Sequence, residues 1–296
     1  MVNASSARLH RSTLYVPGDQ PEKMAKAVTA GADGVICDLE DAVAPSKKAE
    51  ARAGVAEFIS HDAPIDLLVR INWGAAGLDD LRALVPNASS SFTAIYVPKV
   101  STVDELAPID DELTRLEKAC GRPKGSISIV ALLETAQGIL NAPSIANGSR
   151  VRRLAIGEAD LGAELGVELS PGDEREMLTA RAMVVLASSA AGIEPPVGPV
   201  SIDFRDFAAL QKSSEALRRL GFRGRSCIHP AQVAVVNDVF TPTPAQIERA
   251  HRLVERYDSA VAGGDGVIVD DNGKMIDEAV VRSARRTIAQ EHPHER

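Results

Sequence analysis

Seven short apolar runs along the chain can each form a buried strand, and each ends at a residue able to do chemistry. They are GVIC before Asp38, LLV before Arg70, AIYVP before Lys99, ISIVALL before Glu134, LAIGEA before Asp160, VSI before Asp203 and SCI before His229. With an opening strand at 12–18, closed by Pro17 and Gly18, they predict eight strands at 12–18, 34–38, 66–71, 93–97, 127–133, 153–156, 200–203 and 225–228. Helices are predicted between them over 20–30, 47–59 with Ser46 as N-cap, 78–85, 102–120, 135–141, 171–191 and 206–220, with GEADLGAELG at 157–166 as a glycine-rich loop. Strict alternation of strand and helix fits either an open doubly wound sheet or a closed barrel, so periodicity does not decide between them. The count of eight favours a (β/α)8 TIM barrel, in which all the strand ends feed one face where chemistry is done.

Beyond Pro244 the pattern changes to a helix over 245–260, a hairpin GVIVDDNGKMI turning at Asn272 and Gly273, and a last helix from Glu278. The expected organisation is a barrel domain over 1–240 and a helix-hairpin-helix appendage over 241–296 that packs on a neighbouring subunit.

The 296 residues, 45% of them hydrophobic, suffice for one barrel with a modest appendage. A formal net charge of -8 without a basic stripe argues against a nucleic-acid surface, while local Lys and Arg clusters can still meet an anionic substrate. Cys37, Cys120 and Cys227 lack metal spacing and read as plain thiols in a reducing compartment. No apolar run reaches the ~18 residues of a membrane span, and the start carries no secretory signal, so a cytoplasmic protein is expected. The Arg- and Ser-containing, acid-free start also fits an organellar presequence.

Glu134 and Asp160 end adjacent strands, so two carboxylates face one mouth. They can hold a hard divalent cation such as magnesium, or they can form salt bridges. Arg70, among apolar neighbours at a strand end, suits a substrate carboxylate or oxyanion, and Asp38 or Glu40 could also pair with it. Asp38, Glu40 and Asp41 in one loop demand counter-charge or a metal-water network. Lys47, Lys48 and Arg52 at a helix start can seat phosphates or form a solvated face. Lys99 is a Schiff-base candidate or an ion-pair partner, and His229 before Pro230 is a base or part of a rigid strand exit. Asp277 lies outside the barrel pattern, so it reaches a site only if the tail folds over one.

Nine strings in order, YVPG, DLEDAVAPSKKAEAR, VRIN, VPKV, LLETAQGILN, GEADLGAELG, IDFRD, GFRGRSCIHPAQVAVVN and GKMID, span nearly the whole chain. Together they resemble the citrate lyase β-subunit-like branch of the HpcH/HpaI aldolase superfamily. The resemblance implies a magnesium-dependent carbon-carbon lyase, with manganese as an alternative ion, that cleaves a 3-hydroxyacyl thioester of the citryl-, malyl- or citramalyl-CoA type to a 2-oxo acid and an acyl thioester. It implies Glu134 and Asp160 as metal ligands, Arg70 and Glu134 as substrate contacts, and Lys47 and Arg52 near the coenzyme A phosphates. Asp277 would be an acid/base residue delivered by the neighbouring chain of a trimer or hexamer. An acyl-carrier protein could replace coenzyme A. Alternatives are a malate synthase-like condensing thioesterase and a non-catalytic subunit of a larger lyase complex. One departure stands out: relatives often place Glu directly before the metal-binding Asp, whereas here Glu158 and Asp160 flank Ala159.

Overall fold

A computed structural model describes residues 9–170, 174–270 and 273–290. The chain forms two compact units, Leu9–Phe240 and one built on Thr241–Arg296. The first begins β1 (Ser12–Pro17), α1 (Pro21–Ala27), β2 (Gly34–Asp38), α2 (Lys48–Ile59), β3 (Asp66–Arg70), α3 (Ala75–Leu84), β4 (Phe92–Val97) and α4 (Ala107–Ala119). It continues β5 (Ser128–Leu133), α5 (Ala136–Leu140), α6 (Ala142–Ala146), β6 (Val151–Ile156), α7 (Glu158–Leu165) and α8 (Leu178–Ala191). It closes with β7 (Glu194–Val197), α9 (Phe207–Leu220), β8 (Arg225–Cys227) and α10 (Pro230–Phe240).

The eight strands run in chain order with β1 paired to both β2 and β8, and every pairing is parallel. A bridge from Gly198 to Arg225 joins the two ends, making the (β/α)8 barrel that the strand count predicts. Parallel strands are covered on both faces, which explains why they read as continuous apolar runs. Ile36, Leu68, Ala94, Tyr96, Val130, Leu132, Ala155 and Val197 fill the inside of the barrel. The alternate residues, Val35, Leu67, Val69, Ile95, Ile129, Ala131 and Leu154 among them, pack outward against the helices.

Four expectations are corrected. Strand seven is Glu194–Val197, and 200–203 is loop. Pro195 and Pro196 lack the N–H a strand normally offers, which hides this strand in the sequence. They are tolerated because the barrel's seam lies here, and arginines satisfy carbonyls of the segment: the Arg153 Nε donates to the Pro195 carbonyl at 2.5 Å and, just past the strand, the Arg225 Nε to that of Pro199 at 2.8 Å. Second, GEADLGAELG is not a loop but α7, ended by Gly166 in the left-handed conformation at φ 65°. Third, Ser46 does not cap α2, because Pro45–Lys47 forms a 3-10 turn ahead of it with no side-chain cap. Fourth, α10 was not expected; its valine-rich sequence reads as strand by propensity, yet Val233, Val236, Val239 and Phe240 recur on one buried helical stripe. The predicted helix start at Pro171 lies outside the described residues, and within them the predicted 171–191 helix begins only at Leu178, after a 3-10 turn over Arg175–Met177.

The second unit holds α11 (Pro244–Ala262), the antiparallel pair β9 (Ile268–Val269) and β10 (Met275–Ile276), and α12 (Glu278–Ile288). Thr243 and Gln246 form a capping box at the start of α11, with Pro244 in the first turn. Tyr257, Ile276 and Val281 form a small core. Gly273 takes φ 76° in the connecting turn, whose Asn272 is outside the described residues. Among the described residues no helix is long and apolar enough to cross a membrane.

Candidate active site

In the barrel register Asp38 and Arg70, the last residues of β2 and β3, lie opposite one another. The guanidinium grips the carboxylate with two bonds, Nε to Oδ1 at 2.7 Å and Nη2 to Oδ2 at 2.5 Å. Asp38, only 1% exposed, also accepts the backbone N–H groups of Glu40 at 2.9 Å and Ala42 at 3.1 Å, so both its oxygens are fully engaged. The Arg70 Nη1 lies 3.2 Å from Glu40, and its guanidinium carbon sits 5.2 Å from the centre of the Tyr15 ring. Burial alone would weaken its charge, but the bonds to Asp38 and the fields of Tyr15 and Glu40 hold Arg70 protonated far above the ordinary range. Arg70 is thus a rigid, always-charged donor at the mouth of the barrel.

The remaining acids of this loop are matched as well. The Lys99 ammonium lies 2.5 Å from Glu40 and 3.5 Å from Asp41, and the Lys48 ammonium donates to the carbonyls of Leu39 and Glu40 at 2.6 and 2.5 Å. Lys99 therefore takes the ion-pair role. Lys48 staples its own loop.

Glu134, just past β5, is in a different condition. It is 4% exposed, and its one hydrogen bond among the described residues comes from the backbone N–H of Lys99 to Oε2 at 3.1 Å. Burial pushes its carboxyl up to about 7; Arg70 offsets part of this, and the negative charges of Asp160 and Glu40 add to it. Gly157 explains how Asp160 comes near, since a Cβ there would fall 2.6 Å from the Glu134 Cγ and Oε1. Asp160 stands exposed in the first turn of α7, with no side-chain partner among the described residues.

No group of three or more His, Cys, Asp or Glu among the described residues is arranged to hold a metal ion. A pair of carboxylates is nonetheless the donor set magnesium uses, since that ion keeps several positions for water and substrate oxygen. Zinc is normally held with histidine or cysteine among its donors. The buried Glu134, short of donors and raised in pKa, together with the unpartnered Asp160 fits such an ion.

Lys47 and Arg52 differ. The Lys47 side chain is 54% exposed with its ammonium 3.5 Å from Asp19, whose Oδ1 is buried without a partner among the described residues. The Arg52 Nε donates at 2.6 Å to Asp80, a carboxylate with no exposure. Asp80 also accepts the backbone and side-chain N–H of Asn72 at 2.8 Å each, so Arg52 helps to fix the loop after β3. Beside it Trp73 is 40% exposed. Asp277 belongs to the second unit, where its Oδ1 caps α12 by accepting from Ala279 and Val280 at 3.0 and 3.1 Å. His229 accepts the Ala231 N–H and stacks on Phe204 at 4.9 Å, while Asp203 accepts from Arg205 and Asp206. Cys37 and Cys227 are buried thiols pushed up to about 12 by desolvation, so neither is a nucleophile at neutral pH.

Sequence reasoning missed Tyr15, Asp80 and the partner of Glu158. The displaced Glu158 is buried and bound to Arg181 through two contacts of 2.5 and 2.6 Å, and Arg181 also meets Glu174 at 2.5 Å. A signal existed: Arg181 lies on the buried stripe of α8 with Val184, Ala187 and Ser188, and an arginine there requires an acid.

Three comparisons place this geometry among known proteins. Residues 11–230 match the family model for HpcH/HpaI aldolase/citrate lyase. The chain is 34% identical over 301 residues to the citrate lyase subunit beta of Escherichia coli K12, covering 98% of this chain and 97% of that protein. It is 35% identical over 296 residues to a (3S)-malyl-CoA thioesterase of Cereibacter sphaeroides, covering 97% and 96%. Among solved structures it resembles CitE of Mycobacterium tuberculosis in complex with magnesium, acetoacetate and coenzyme A, with TM-score 0.73, 30% identity and coverage of 94% and 97%.

Proposed function

The chain belongs to the HpcH/HpaI aldolase/citrate lyase family, and from that premise we propose that it is a magnesium-dependent carbon-carbon lyase acting on a 3-hydroxyacyl thioester of the citryl-, malyl- or citramalyl-CoA type. The observation that carries this reading is the pairing at one barrel mouth of a fixed, charged Arg70 with the under-satisfied carboxylates Glu134 and Asp160. The coenzyme A thioester is supported by the Mycobacterium tuberculosis CitE structure in complex with magnesium, acetoacetate and coenzyme A, and the 2-oxo acid by that of the citrate lyase beta subunit from the same organism complexed with oxaloacetate and magnesium.

Glu134 and Asp160 would hold the ion; when bound, it supplies a Lewis acid to the carboxylate and neighbouring oxygen of the substrate. Arg70 donates to that same oxygen as the bond between the α- and β-carbons of the thioester breaks, since its charge is already aimed and costs no reorganisation. The hydroxyl proton passes to the Asp277 carboxylate of a neighbouring copy as the oxygen becomes the carbonyl of the 2-oxo acid, and the electron pair of the broken bond passes to the thioester enolate. Asp277 of a neighbouring copy returns a proton to the α-carbon; its Oδ1 is engaged in capping α12, leaving Oδ2 for the transfer. Lys47, largely exposed, is the better placed of the two cations to meet a coenzyme A phosphate, and Arg52 supports the loop.

A panel of malyl-, citramalyl- and citryl-CoA, monitored for 2-oxo acid release, tests the reaction. Magnesium-dependent release that is lost in Glu134→Ala and Asp160→Ala is expected. Full activity in those variants or in excess chelator overturns the metal assignment. The malyl-CoA thioesterase relative favours a second reading, in which the thioester is hydrolysed. Free coenzyme A thiol appearing without 2-oxo acid would select it.

A further inference from the structure

Lys99 is one of three non-glycine residues with positive φ among the described residues, at 54°. Side chains with a Cβ resist this left-handed conformation, and it persists where surrounding structure enforces it, often at functional sites. Two contacts show what the conformation accomplishes. The backbone N–H of Lys99 points to Glu134 Oε2 at 3.1 Å, and the ammonium of the same residue reaches Glu40 Oε1 at 2.5 Å. Glu40 in turn meets Arg70 at 3.2 Å. One residue thereby joins the carboxylate that lacks partners to the loop that holds the arginine. The φ angle sets where the side chain lies relative to the N–H, so in an ordinary extended or helical conformation the residue would not present its N–H to Glu134 and its ammonium to Glu40 at the same time.

We propose that Lys99 is a positioning residue for the metal site: its left-handed backbone fixes Glu134 through Oε2, leaving Oε1 for a divalent cation, while its ammonium fixes the loop that carries Glu40. This rests on the metal reading given above and adds to it a residue that touches neither cation nor substrate. The backbone contribution separates from that of the ammonium by choice of side chain. Asparagine removes the charge but accepts the left-handed conformation, whereas the β-branched valine removes the charge and resists it.

The test titrates magnesium chloride into the full-length protein without substrate, by calorimetry, with thermal unfolding recorded in parallel. Expected are a dissociation constant for Lys99→Asn within about 3-fold of the parent and one for Lys99→Val weakened about 10-fold or more, the range typical of groups that orient a metal ligand. Should Lys99→Val fail to fold, Lys99→Ala stands in with an expected loss of a few-fold relative to Lys99→Asn. A merely structural role would lower the melting temperature of Lys99→Val and leave magnesium affinity unchanged, and equal affinity in the variants overturns the proposal. A parent that binds no magnesium overturns the metal reading and the proposal together, whereas binding by the parent with no difference among variants overturns the positioning role alone.

Discussion

The two halves of the barrel mouth contain the same kinds of residue in opposite states. Around Asp38, each oxygen of the Asp38 and Glu40 carboxylates has a donor in Arg70, Lys99 or a backbone N–H, and Lys48 holds two carbonyls of the same loop. Around Glu134, burial is as deep but a single N–H answers it, and Asp160 has no side-chain partner among the described residues. Buried charge is costly unless paired, so a paired cluster reads as scaffold and an underpaired one as a place prepared for a positive ligand. Burial and residue type do not separate the two halves; hydrogen-bond accounting does.

The largest effect that could break this contrast comes from the scaffold side. Asp38→Ala leaves Arg70 without its main partner, and a stability loss of about 3–5 kcal/mol in urea unfolding is expected, with activity lost as well. Asp160→Ala, by contrast, is expected to unfold within about 0.5 kcal/mol of the parent while the thermal shift with magnesium and oxaloacetate disappears. Equal stability loss in both would erase the distinction.

Next in size is the pair behind α7. Arg181→Met strands the buried Glu158 and should cost about 3 kcal/mol, and the double variant Glu158→Gln with Arg181→Met should recover at least half, a coupling read from a double-mutant cycle. Absence of coupling would mean that the bidentate pair contributes little. Gly157→Ala sharpens the other half: its Cβ would press on Glu134, so magnesium affinity should fall about 10-fold. The smallest effect is expected at Lys47→Ala, a few-fold rise in KM for the coenzyme A thioester with kcat and stability unchanged. A fall in kcat would place Lys47 nearer the reacting atoms.

The legibility of these features in the sequence follows their range. Asp38, Arg70 and Glu134 end apolar runs, and runs of that kind in parallel strands can only be buried on both faces, so the barrel and its decorated mouth were readable. Strand β7 was not, because Pro195 and Pro196 deny it the usual signature, and the donors to carbonyls in and just past it are the side chains of Arg153 and Arg225 from other strands. Helix α10 was obscured by valines whose local preference is overridden by packing. The glycines of α7 suggested a loop, yet Gly157 and Gly162 are small because Glu134 and the Met177 side chain lie close.

What the order of residues could determine, then, is which positions carry charge at strand ends, since periodicity is local and the burial of apolar runs is obligatory. Which of those charges would be neutralised was decided only by tertiary structure. Arg70 meets Asp38 because β2 and β3 are neighbours in register, Arg52 meets Asp80 across two helices, and Arg181 meets Glu158 across α7 and α8. Each pairing depends on distances between elements far apart in the chain. Glu134 and Asp160, which the sequence leaves open between a metal pair and salt bridges, stand apart as the carboxylates short of partners only when all the others have been accounted for.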